Sequence, residues 1–200
     1  MGTDLHILYL HGFLSAPQSS KARETVAYCN GRGMSDRIHV PFMKHGPAAT
    51  MAELTALIAT LPQAKLGLIG SSLGGFYATC LSEQFNLPAV LINPAVGPFD
   101  RWESYLGDHQ NYYTDSVHTV TPAYIRELRQ LDCKTLRYPQ NFRVMVQTGD
   151  ETLDYRLAAE KFSKAELVIR QGGSHSYDGY AEELPAIEAF LLSRITESVR

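Results

Sequence analysis

The chain has 200 residues, 44% hydrophobic and 20% charged, with 18 Lys and Arg against 21 Asp and Glu for a formal charge of -3. These proportions suit one globular domain that buries about 70% of its surface, and they exclude wholesale disorder, fibrous repeats and low complexity. The basic residues are scattered, which argues against a nucleic-acid partner.

The first apolar segment, residues 5–10, is near-continuous and reads as a strand covered on both faces. It is too short for a signal peptide, and no window reaches the length needed to span a membrane. Cys29, Cys80 and Cys133 form neither a disulfide framework nor a zinc spacing, so a reducing, cytoplasmic setting is expected. A helix over 21–30 follows, ended by Gly31 and Gly33. A short strand at 37–42 is broken by Pro41, and Met51, Leu54, Leu57, Ile58 and Leu61 line one side of a helix at 48–61. Strands are expected at 65–70, 89–93, 142–148 and 166–170, with helices at 72–85 and 154–162 and a last helix striped by Leu184, Ile187, Phe190 and Leu191. Strands alternating with helices of about ten residues predict a three-layer α/β fold. Its mostly parallel sheet has about six strands, with helices on both faces. The exception is 97–140, which has one helix at 122–131, no strong strand and many aromatics. It reads as a cap-like excursion within a single domain spanning 1–200, and loops of that length are usually functional.

Gly70-Ser71-Ser72-Leu73-Gly74 lies between a predicted strand and a predicted helix. That is the context of a nucleophile elbow, a sharp turn that holds a serine hydroxyl at the carboxyl end of the sheet. Gly70 and Gly74 remove side chains where helix and strand pass closely. Ser72 is the candidate nucleophile. Ser71 fails the glycine spacing and reads as a local packing residue. A serine hydroxyl needs a base, and His175, in a glycine-rich loop between the last strand and last helix, is the best placed of seven histidines. The base needs a carboxylate. Asp150 is the first acid after the fifth strand, while Asp154 suits a helix cap. The order Ser72, Asp150, His175 is that of the α/β-hydrolase triad. The N–H of Leu73 and that of Phe13, in the loop after the first strand, are the candidate oxyanion donors. Gly12 lets this loop turn tightly, and His11 suits a structural hydrogen-bonding role.

These features resemble the α/β-hydrolase superfamily, and within it the small bacterial esterases of the YqiA-like group. The resemblance is carried by LYLHGFLSAPQSSKA at 8–22, GLIGSSLGGFYAT at 67–79, LPAVLINPAV at 87–96, QTGDETLDYR at 147–156 and GGSHSYDGY at 172–180. It implies a serine esterase with Asn93 supporting the site, acting on small-molecule esters or thioesters. The chain is short for the superfamily and has Leu153-Asp154 where many members carry Val-Pro. An acyl-CoA thioesterase would carry a basic rim, with Arg101, Arg126 and Arg129 as candidates. A noncatalytic scaffold binding a ligand or protein is the other alternative. No P-loop, dinucleotide fingerprint or zinc motif is present, so no cofactor and no metal is expected. A monomer or weak homodimer is expected. Trp102 and Tyr105 are the candidate substrate-binding residues of the excursion, where apolar rings would hold an acyl chain.

Overall fold

The structure is a computed structural model that describes residues 4–43, 46–100 and 102–197. Six strands form one parallel sheet in the order β2-β1-β3-β4-β7-β8. They are β1 (His6–Leu10), β2 (Ile38–His39), β3 (Leu66–Ser71), β4 (Ala89–Ile92), β7 (Phe142–Gln147) and β8 (Glu166–Arg170). Side chains alternate between two apolar layers. Leu8, Leu10, Leu68, Leu91 and Val144 face one core, while Ile7, Tyr9, Ile69, Val90 and Met145 face the other. Helices α2 (Pro47–Thr60), α3 (Leu73–Phe85), α4 (Pro122–Leu131) and α5 (Tyr155–Lys161) pack on the first face; α1 (Ser20–Gly31) and α6 (Tyr180–Glu197) pack on the second. This is the expected three-layer α/β architecture, with β3 central and β1 beside it.

Two elements differ from the sequence reading. The second strand covers only Ile38–His39, because the chain leaves the sheet before Pro41. Within 97–140 the expected helix is present, but so is an antiparallel hairpin, β5 (Gly107–Gln110) with β6 (Val117–Val120). Its strands are short and mostly exposed, and although Val117, Thr119 and Val120 favour strand, Asp108, His109 and Gln110 give β5 neither β propensity nor an apolar alternation. Among the described residues no helix is long and apolar enough to cross a membrane.

Because the strands are parallel, their carboxyl ends lie along one edge. Leu10 pairs with Gly70, Ser71 with Ile92, and Gln147 with Arg170. Each of the segments beginning at His11, Ser72, Asn93, Thr148 and Gln171 therefore starts from that edge, where open α/β sheets bind ligands.

Candidate active site

Ser72 joins β3 to α3 with φ 55° and ψ -121°. A non-glycine residue there is strained by about 1–3 kcal/mol and persists only when its surroundings over-determine it. The surroundings do so. The Ser72 N–H donates to the Ile92 carbonyl at 3.1 Å, and the Ser72 carbonyl accepts from Gly75 at 2.9 Å and Ala95 at 3.0 Å. The flanking glycines are required by close approach. A Cβ on Gly70 would lie 2.7 Å from Ala78 Cβ, and one on Gly74 would lie 2.5 Å from the His11 carbonyl oxygen and closer still to that of Leu10. Ser71 is buried, and its hydroxyl pairs with Tyr9 instead.

His175 Nε2 lies 3.0 Å from Ser72 Oγ. On its other side, Nδ1 lies 2.8 and 3.0 Å from the two oxygens of Asp150. An ionised carboxylate only accepts, so Nδ1 carries the proton and Nε2 presents its lone pair to the serine hydroxyl. The Asp150 side chain is 2% exposed. Burial alone would raise its pKa, but hydrogen bonds from His175 and from the N–H groups of Leu153 and Thr152 together hold it below the ordinary carboxylate value. Asp154 caps α5 by accepting from the Arg156 N–H. The three residues that the sequence placed in hydrolase order thus meet across three strand ends.

The loop carrying His175 is braced by Gln147, which sequence reasoning overlooked, by Glu151, and by Asn93, which the resemblance implied as a support. Gln147 Oε1 accepts from the N–H groups of Ser174 at 3.0 Å and Asp178 at 2.8 Å, and its Nε2 donates to the Asp178 carbonyl at 2.7 Å. Gly173, with φ 74°, leaves no room for a Cβ beside that amide. Glu151 accepts from the His175 N–H at 2.9 Å, and its pKa is lowered by that bond. Asn93, also at positive φ, donates to the carbonyls of Ser174 and His175 and accepts from the Gln147 N–H. One amide therefore ties β4, β7 and the histidine loop together.

The loop after β1 closes over the serine. A Cβ on Gly12 would lie 3.3 Å from Ser72 Cβ. The expected tight turn is present, with the Gly12 carbonyl accepting from the Ser15 N–H at 3.3 Å and Leu14 carrying the positive φ of 53°, and Gly12 also serves close approach. Buried His11 accepts from the Met43 N–H at Nε2, so its Nδ1 donates to the Gly12 carbonyl at 2.9 Å. Burial pushes its pKa down, although the bond to Gly12 opposes the shift. His11 is a neutral tether, consistent with a structural role. Among the described residues neither the Phe13 nor the Leu73 N–H donates a hydrogen bond, and both residues line the groove beside Ser72.

The 97–140 segment meets this loop. The Phe13 ring lies 4.5 Å from that of Trp102 and 5.4 Å from that of His118. Tyr112 N–H donates to the Leu14 carbonyl, and Asn111 donates to that of Ser15. Trp102 is nearly buried and stacks on Tyr124 at 5.0 Å, whereas Tyr105 is exposed. Two depressions meet at Ser72 and His175. One, of about 570 Å³, is lined by Ala95, Val96, Trp102, Tyr105 and Leu153. The other, of about 550 Å³, mixes charged and polar groups with aromatic rings and runs toward α1 and α6. Arg126 and Arg129 line neither depression, and Arg129 sits over the Phe99 ring. Arg101 lies outside the described residues.

A family model described as "Uncharacterised protein family (UPF0227)" matches residues 6–192. A UPF0227 protein of Shewanella woodyi is 24% identical over 187 residues, covering 92% of this chain and 98% of that one. Among solved structures, alpha/beta hydrolase domain-containing protein 10 from mouse aligns with TM-score 0.73 at 14% identity, covering 98% of this chain and 92% of that one. Est1E from Butyrivibrio proteoclasticus aligns with TM-score 0.67 at 15% identity, covering 98% and 90%. These likenesses show the α/β-hydrolase fold. The chain belongs to the UPF0227 family.

Proposed function

We propose that this UPF0227 member is a serine hydrolase of the YqiA-like kind, cleaving carboxylic esters of small or slender acyl groups through an acyl-enzyme. The observation that carries this reading is the His175 ring, held between Ser72 Oγ at 3.0 Å and Asp150 at 2.8 Å. In the first half-reaction Nε2 takes the Ser72 proton as Oγ attacks the ester carbonyl carbon. The carbonyl oxygen becomes an oxyanion that accepts from the Phe13 and Leu73 N–H groups. Asp150 stabilises the imidazolium. Collapse breaks the bond to the leaving oxygen, which takes the proton from Nε2 and departs as alcohol. Water, deprotonated by the same nitrogen, then releases the acid and restores Ser72.

The groove lined by Val96, Trp102 and Leu153 suits the acyl chain. The 97–140 segment acts as a partial cap whose rings exclude water from the oxyanion site, a role supported by its packing on Phe13. Ester rather than acyl-CoA hydrolysis is the reading supported by the described rim candidates, since neither Arg126 nor Arg129 borders the depressions.

The test is labelling by a fluorophosphonate probe together with turnover of a short-chain nitrophenyl ester. Wild type and Ser71→Ala should be labelled and active. Ser72→Ala should be folded, unlabelled and at background rate. Equal turnover by wild type and Ser72→Ala ends the serine-hydrolase reading, and wild type that is unlabelled and at background rate leaves a binding scaffold.

A further inference from the structure

The second depression at Ser72 differs chemically from the acyl groove. It begins at Ser72 and His175, continues past Ser176 to Glu182, and is walled on the far side by Lys21, Glu24 and Tyr113. Its lining offers both donors and acceptors. Lys21 Nζ donates to the Ser176 carbonyl at 2.8 Å, which uses one of three ammonium hydrogens. Glu24 accepts from Ser20 Oγ, and Asp178 accepts from Ser174 Oγ, which leaves lone pairs on both carboxylates. Glu182 adds a third carboxylate.

From these residues, and resting on the esterase reading above, we infer that the depression is the leaving-group subsite and that it takes a neutral, hydroxyl-rich alcohol such as a glycerol- or sugar-like polyol. Three observations select that class. An alcohol departing toward the 175–182 segment stays beside His175 Nε2, the atom that protonates it. A polyanionic leaving group would meet three carboxylates against one ammonium, and a quaternary ammonium head, which neither donates nor accepts a hydrogen bond, would leave the remaining Lys21 hydrogens unanswered. A hydroxyl both donates and accepts, so it satisfies both kinds of wall group. The apolar acyl groove on the other side of Ser72 then completes an amphipathic ester.

The experiment compares kcat/KM for four butyrates, each divided by its rate of alkaline hydrolysis: glycerol monobutyrate, propyl butyrate, butyrylcholine and butyryl-CoA. Glycerol monobutyrate should exceed propyl butyrate at least tenfold and should exceed both charged substrates. Glu24→Gln and Tyr113→Phe should each lower the glycerol-to-propyl ratio three- to tenfold. A wild-type ratio near one, with propyl butyrate hydrolysed and Ser72 labelled, overturns the subsite and leaves the esterase standing. Preference for butyrylcholine or butyryl-CoA also overturns it, as do variant ratios equal to that of wild type. Absence of both labelling and hydrolysis overturns the esterase reading and the subsite with it.

Discussion

Replacing Gly74 with alanine tests how the elbow is built. The new Cβ would lie 2.5 Å from the His11 carbonyl oxygen and 2.6 Å from the Leu10 carbonyl carbon. That is roughly 1 Å short of the optimal contact distance of about 3.5 Å. All of these atoms are backbone, at or just beyond the end of the β1–β3 ladder, so no rotamer change relieves the overlap. Overpacking costs typically 1–3 kcal/mol, and an overlap against backbone belongs at the upper end, about 3 kcal/mol. For a chain of this size that lowers Tm by about 6–12 °C. The strand end that must yield carries Gly12 and Phe13 over Ser72, so a displacement of about 1 Å should also lower kcat on the order of 100-fold. Gly31→Ala is the control, because nothing lies within 4 Å of its Cβ position. Thermal unfolding followed by circular dichroism, with nitrophenyl-ester turnover on the same samples, makes both measurements. A Gly74→Ala protein that melts with wild type would refute the close-approach argument, whatever its activity.

Asp150→Asn should lower kcat by about 10⁴, since an amide no longer fixes the histidine tautomer. The folded pKa of Asp150 is depressed, so its stabilisation is present above the ordinary carboxylate value and is lost as pH falls through the folded one. The difference in unfolding free energy between wild type and Asp150→Asn should therefore shrink below about pH 4, measured by urea titration at several pH values. Buried His11 also has a depressed folded pKa. The unfolded chain binds the proton more readily, so stability should fall as pH drops below about 6.5, and His11→Gln should flatten that slope in the same titrations. Gln147→Leu should cut kcat about 10- to 100-fold with little change in KM, because the Ser174 and Asp178 N–H groups lose their acceptor and the histidine loop loosens. Gln147→Glu keeps an acceptor and should recover part of that loss in steady-state kinetics.

What the sequence discloses depends on whether a residue's partner is near it in the chain. The β1, β3 and β4 strands are legible because they are buried on both faces and read as unbroken apolar runs. Gly70 is legible because its steric demand acts between a strand and the helix that follows it, whereas Gly74, which meets the β1 end at Leu10 and His11, is legible only through its spacing from Ser72. The β5–β6 hairpin gives no such signal, since its strands are exposed and its role lies in the bonds of Asn111 and Tyr112 to a loop about 100 residues earlier.

Gln147 shows the same limit at the candidate site. A strand-end glutamine is unremarkable by type, and its three bonds go to a loop about 30 residues later. The one local hint is the pair Gly172-Gly173. Both glycines have positive φ, and Gly173 has no space for a side chain because the Gln147 amide occupies it. The sequence places His175 in a glycine-rich loop, where glycines free the backbone to present the ring. In the structure both do adopt positive φ, and Gly173 in addition lets the loop come close enough for a buried amide to clamp it. The histidine is therefore held in register with Ser72 by hydrogen bonds made on the far side of its loop. Mutations at Gly173 and Gln147 should accordingly be non-additive, since either one releases the same clamp.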